Sequence, residues 1–276
     1  GQISETTRQV SFMDIQYLGG TDINTTLWYG TIIVTGDLRV PSGQTLTIAP
    51  GTSVLFVNAD VESPAGVGDY GLLIEGELIV NGTPSEPVVF SGQDMAAKMP
   101  GGWDRITITG STPSTLTNAV IEYADVGLDV RNGSTFTNVT VRKTSSDCIL
   151  LNNADNAMLS DVSVSECGQD GVRVINGSIN VTATGLSSQN NTRDGISVAD
   201  NSVIAVGMSM LSSNGDDGAH IDGATLDLSD SVVEDNTERG LYLLADGRGD
   251  ITRNQIRNNG AEGVGMFSNS GGSPSP

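Results

Sequence analysis

Aromatic residues make up only 4% of this 276-residue chain, and lysine is scarcer still, with Lys98 and Lys143 the only two. A core without aromatic bulk must be built from small aliphatic side chains, which suits many thin layers better than one thick globule. Positive charge is short overall: 33 acidic residues face 13 Lys and Arg, for a formal charge of −20. Such a surface repels phosphate backbones and anionic membranes, so nucleic acid is excluded as a partner. No apolar run is long enough to span a bilayer, and the N-terminus lacks a basic-then-apolar leader, so a mature or excised segment without a membrane span is expected. Cys148 and Cys167 are too few for a disulfide framework. The repeat described next puts them in different columns, and two buried free thiols are expected.

What the chain does have is a repeated phrase: a glycine, an aliphatic residue, any residue, then another aliphatic. It reads Gly127-Leu128-Asp129-Val130, Cys148-Ile149-Leu150-Leu151, Gly171-Val172-Arg173-Val174, Gly195-Ile196-Ser197-Val198, Gly218-Ala219-His220-Ile221, Gly240-Leu241-Tyr242-Leu243 and Gly263-Val264-Gly265-Met266. Successive starts lie 21, 23, 24, 23, 22 and 23 residues apart. A period in the low twenties with apolar alternation inside each unit marks a β-solenoid. Leucine-rich repeats share the period, but these units offer Ser, Thr, Asn and Val where such repeats need leucine and a helical return. With coils stacked about 4.8 Å apart, roughly twelve coils make a rod on the order of 55 Å long.

The register gives each column a role. Positions one and three after the glycine are aliphatic and point inward. Four residues before the glycine stand Asn191, Asn214, Asn236 and Asn259, with Cys167 and Thr144 in the two preceding coils. Stacked Asn amides in a tight bend bond coil to coil, so this column is structural. The first hundred residues differ. Leu46-Thr47-Ile48-Ala49-Pro50-Gly51-Thr52-Ser53-Val54-Leu55-Phe56, Leu72 through Thr83, Pro87-Val88-Val89-Phe90 and Gly102-Trp103-Asp104-Arg105-Ile106 alternate strands with Pro-Gly and Asn-Gly turns. They predict wider, less regular coils closing one end of the stack.

These motifs resemble the opening of right-handed parallel β-helix repeat proteins of the pectate-lyase-like superfamily, especially secreted or surface-anchored proteins of bacteria and archaea. The resemblance covers about residues 27–270 and implies an all-β, single-stranded parallel β-helix of about twelve coils of 21–24 residues with an N-terminal capping region. It implies fold more than activity, because such folds host lyases, epimerases, hydrolases and non-enzymes. The expected organisation is an extra strand or remnant of a preceding module over 1–26, cap and irregular coils over 27–104, regular coils over 105–270, and a linker over 271–276. Ser11–Tyr17 echoes Thr117–Tyr123, which motivates the first of these.

Reactive groups in this superfamily usually project from one strand face, here the residue two after each glycine: Asp129, Leu150, Arg173, Ser197, His220, Tyr242 and Gly265. A hydrolase needs clustered carboxylates, and only Asp129 qualifies. A lyase or epimerase needs a base beside a uronate carboxylate and a cation to neutralise it. Arg173, His220 and Tyr242 supply that chemistry, and equally the hydrogen bonding and stacking of a glycan-binding strip. Just before the glycines stand Asp147, Asp170, Asp194 and Asp217, a row of carboxylates for which calcium is the expected cation; no cofactor is required. Seven N-x-S/T sequons, starting at Asn24, Asn81, Asn132, Asn138, Asn176, Asn180 and Asn190, matter only in a host that glycosylates them.

The leading expectation is a rigid, non-catalytic, extracellular or cell-surface module for display, adhesion or glycan binding, with self-association inside a larger surface protein. The alternative is a polysaccharide lyase or epimerase acting on an acidic polysaccharide with calcium.

Overall fold

The computed structural model describes residues 15–23, 26–58, 70–94 and 98–267. The proposed linker over 271–276 and the Ser11–Asp14 part of the N-terminal echo lie outside them. Among the described residues all regular structure is β-strand, in one sheet of 19 strands and one of 11, and the strands pair in parallel. No helix among the described residues is long and apolar enough to cross a membrane.

The 11-stranded sheet counts the coils, close to the dozen anticipated. It runs from Thr21–Asp22 through Leu38–Val40, Leu72–Ile74, Ile106–Ile108, Leu128–Val130, Ile149–Asn152, Val172–Ile175, Ile196–Ala199, Ala219–Asp222 and Leu241–Leu244 to Val264–Phe267. Register partners show where the coils change width. Leu38 pairs with Leu72 and Leu72 with Ile106, steps of 34 residues, whereas Ile106 pairs with Leu128, a step of 22. The large side chains follow this width. Trp28, Phe56, Phe90, Trp103 and Phe136 are fully buried, and the Phe56 and Trp103 rings stack 4.1 Å apart. Apart from Phe136, the narrow coils are filled by aliphatic side chains such as Val172, Val174, Ile196 and Val198, all 0% exposed. Stacking like on like removes apolar area from water at every coil, which is the main stabilising term. Two inward positions depart from the pattern: Val264 and Met266 are 45% and 73% exposed. They belong to the last described coil, so no further described coil packs on them.

The asparagine column forms the anticipated ladder. The Nδ2 of Asn191, Asn214 and Asn236 each donates to Oδ1 of the next coil's Asn at 2.9 Å. The backbone N–H groups of the same residues donate to the same oxygens, so one amide per coil satisfies groups that the bend leaves unpaired.

The cysteines correct an expectation. Cys148 and Cys167 are not free thiols: they form a disulfide across 19 residues, with Cα atoms 5.5 Å apart. They do occupy different columns, but those columns meet across the coil boundary. A Cβ on Gly195 would lie 2.8 Å from Asn214 Nδ2, and one on Gly218 would lie 2.9 Å from Asn236 Nδ2. The glycine of one coil therefore makes room for the asparagine of the next. In this one coil Cys148 replaces the glycine and Cys167 replaces the asparagine facing it, so a covalent bond stands where a close Gly–Asn approach stands elsewhere. Replacing both by serine should cost about 3 kcal/mol through loss of a short closed loop. Replacing them by the ladder's own pair, Cys148→Gly with Cys167→Asn, should recover part of that loss. Thermal melting of the two double variants checks it; equal melting temperatures would deny the equivalence of the two pairings.

Candidate functional site

The outer face of the 11-stranded sheet carries the residues singled out from the sequence, in one register: Leu150, Arg173, Ser197, His220, Tyr242 and Gly265 are successive pairing partners. His220 and Tyr242 are neighbours, with ring centroids 4.9 Å apart. Phe267 meets the far edge of Tyr242 at 5.4 Å, and the Arg239 guanidinium lies 4.5 Å over the Tyr242 ring. Arg173 stands two strands from His220 with Ser197 between, roughly 10 Å along the stack. Asp129 is not available to a ligand: it is 2% exposed and paired with Arg131 at 2.8 Å.

Behind this face runs the aspartate column, which is buried rather than splayed into water: Asp147, Asp170, Asp194 and Asp217 are 5%, 1%, 1% and 4% exposed. Its register fixes why. The Oδ1 of each accepts the backbone N–H of the column residue one coil on, from Asp170, Asp194, Asp217 and Arg239 in turn, at 2.8–3.2 Å. Each carboxylate also has a cationic neighbour. Arg173 Nη1 is 3.8 Å from Asp147, Arg193 Nε 3.8 Å from Asp170, His220 Nδ1 3.4 Å from Asp194 Oδ2, and Arg239 Nη1 3.9 Å from Asp217. Burial pushes the Asp170 carboxyl up to about 6, with the Asp194 and Asp147 carboxylates adding to the effect. Burial also raises Asp147 and Asp217. His220 is raised, chiefly by its contact with the Asp194 carboxylate. His220 and Asp194 thus stand side by side, with Tyr242 alongside. Nδ1 faces the carboxylate, and Nε2 is buried with no hydrogen-bond partner within the protein.

Sequence reasoning missed Arg239 and Phe267 as partners of Tyr242, because neither falls in the column tested. It also missed a cavity of about 420 Å³ near the first strands of the same sheet, lined by Asp22, Arg39, Leu73, Asp104, Arg105 and Thr107 among others. There Arg39 pairs with Asp22 and Glu75, and Arg105 with Asp104 and Asp125. A signal existed: Gly71-Leu72-Leu73-Ile74 is the repeated phrase, two coils before the series that begins at Gly127.

No curated protein sequence matches the chain. Among solved structures, a double mutant of the periplasmic alginate epimerase AlgG superposes with a TM-score of 0.62 at 14% identity, covering 90% of this chain and 67% of that one. The pectate lyase Pel9A gives 0.56 at 13%, covering 82% and 71%. These likenesses establish fold, not activity. The model of the family described as the right-handed β-helix region matches residues 126–274, more than half of the sequence and all of the regular coils from Gly127 onward. With its two parallel sheets and its inward aliphatic columns, the chain belongs to the right-handed β-helix family.

Proposed function

We propose that the outer face of the 11-stranded sheet acts on an acidic polysaccharide by removing the proton beside a uronate carboxylate, the first step shared by polysaccharide lyases and epimerases. The observation that carries this is the His220–Asp194 contact on an outward strand face with Tyr242 one coil away. The fold likeness to an alginate epimerase and a pectate lyase supports the same substrate class. Asp194 faces Nδ1, which leaves Nε2 to take the proton; Nε2 is buried in the free protein, so the ring must turn outward to meet the sugar. Tyr242 donates to the departing glycosidic oxygen in elimination, or returns a proton to carbon in epimerisation. Arg173 offsets the uronate charge, which the acidic surface would otherwise repel. The disulfide and the periplasmic origin named for the epimerase support a place outside the cytoplasm.

Incubation with polyuronates, with and without calcium, tests the reading by the ultraviolet absorbance of unsaturated ends and by sugar composition. His220→Ala should lower the rate by about 100- to 10,000-fold while melting almost unchanged. The base must be neutral, and the Asp194 carboxylate keeps His220 protonated to higher pH. The acid limb of the rate profile should therefore lie above 6.5, and Asp194→Asn should move it down. A limb unmoved by that change would remove His220 as the base.

A second reading is a non-catalytic module for adhesion or display that binds glycan through the same strip. It is favoured by the packed rings of His220, Tyr242 and Phe267, a rigid surface suited to stacking on sugar. Saturable binding, weakened by alanine at Arg173, His220 or Tyr242 and without product, would select it.

A further inference from the structure

Two ladders climb this solenoid side by side, and they differ in one respect. The asparagine ladder uses both side-chain atoms: Oδ1 accepts a backbone N–H, and Nδ2 donates to the next amide. The aspartate ladder spends Oδ1 in the same way and leaves Oδ2 over. Asparagine in that column would satisfy the same N–H groups without burying a charge, so the fold alone gives no reason for carboxylates there. At Asp147 an arginine faces the leftover oxygen at 3.8 Å, whereas at Asp170 the arginine faces Oδ1 and Oδ2 is buried without a hydrogen-bond partner, with no imidazole beside it. At Asp194 the remaining oxygen is buried with no hydrogen-bond partner, its side chain 2% exposed, and it points toward His220 Nδ1.

Ligand atoms of Asp194, Asp217 and His220 all lie within 4.8 Å of one another. Asp217 Oδ1 is occupied by the Arg239 N–H and faces Arg239 Nη1, which leaves Oδ2 for the cluster. Asp216, half exposed, adds negative field beside it. We propose that Asp194, Asp217 and His220 form a binding site for a divalent transition-metal ion of the zinc type, completed by water or sugar oxygens. Calcium, the cation expected from the sequence, takes about six to eight oxygen ligands. This cluster offers one remaining oxygen from each carboxylate and an imidazole nitrogen, a mixed N/O set of low number that suits zinc and its neighbours. In one consequence the site rests on the function proposed above: with metal on Nδ1 the imidazole is a ligand and no longer a base, so bound metal silences proton abstraction.

Calorimetric titration of the whole chain with Zn²⁺ at neutral pH tests the site without any substrate. The expected result is one ion per chain, with affinity reduced more than about tenfold by each of Asp194→Asn, Asp217→Asn and His220→Ala, and unchanged by Asp147→Asn. The asparagine variants keep the Oδ1 acceptor, and an unchanged melting curve in metal-free buffer shows that they fold. Absence of binding, or binding indifferent to the three substitutions, overturns the site and leaves the catalytic reading standing. Zinc binding by a protein that turns over no polyuronate does the reverse, and zinc that binds as expected without slowing an active enzyme overturns the silencing.

Discussion

Ile196→Asp, or Val198→Asp, unfolds at least the coils on either side of it, whereas Ser197→Asp between them is nearly silent. Ile196 and Val198 are both 0% exposed, and each stacks on like residues in the coils before and after. A carboxylate placed there meets no donor and costs several kcal/mol, a large fraction of the roughly 5–15 kcal/mol that holds a domain folded. Ser197 points outward between Arg173 and His220, where a new carboxylate finds two cationic neighbours. In a solenoid each coil leans only on its neighbours, so damage at Ile196 should spread outward from that coil. Hydrogen exchange should show protection lost first in Val172–Ile175 and Ala219–Asp222. Equal tolerance of all three substitutions would refute the register.

The second large effect concerns pH. Most proteins lose stability in acid because paired carboxylates must be protonated. Here the buried column works the other way. Asp170 is raised from 3.8 to about 6 in the folded chain, so between those values the folded state holds a proton that the unfolded chain has released. Stability therefore falls as pH rises through that window, by on the order of 3 kcal/mol for this group. Asp147 and Asp217 are raised by burial and act in the same direction. His220, raised by Asp194, contributes stability that is complete below 6.5 and is lost as pH climbs through its folded value. Metal-free protein should accordingly melt at higher temperature near pH 4 than near pH 7. Asp170→Asn, which keeps the acceptor for the Asp194 N–H, should raise the melting temperature at neutral pH and flatten the slope. Asp170→Ala should lower it, because that N–H then loses its partner. A melting temperature that rises steadily from acid to neutral in both wild type and Asp170→Asn would contradict this account.

The solenoid was legible because its signal is repeated. The glycine phrase recurs seven times, and each recurrence fixes an inward pair, an outward residue and a turn column. Less was legible where a property depends on two columns meeting across coils. Spacing along the chain placed Cys148 and Cys167 apart, yet the glycine and asparagine columns touch at every coil boundary, and only the stack shows it. The aspartates were read correctly as a column but expected at its edge, where neighbours would repel. In the stack each carboxylate turns inward to a backbone N–H, which hides the charge and leaves one oxygen over. Arg39, Arg105 and their cavity escaped notice because the wide coils break the 21–24-residue period.

If the outer face is catalytic, His220, beside Asp194, takes a proton from carbon on an acidic sugar. Exchange with solvent measures that step alone, whether elimination or epimerisation follows. Polyuronate incubated with the protein in heavy water, then examined by mass spectrometry and NMR, should carry deuterium at the carbon bearing the carboxylate or, after elimination, appear as unsaturated ends. Both signals should vanish with His220→Ala and persist with Ser197→Ala. Binding of polyuronate with neither deuterium uptake nor unsaturated product would contradict the claim and leave the face a glycan-binding surface.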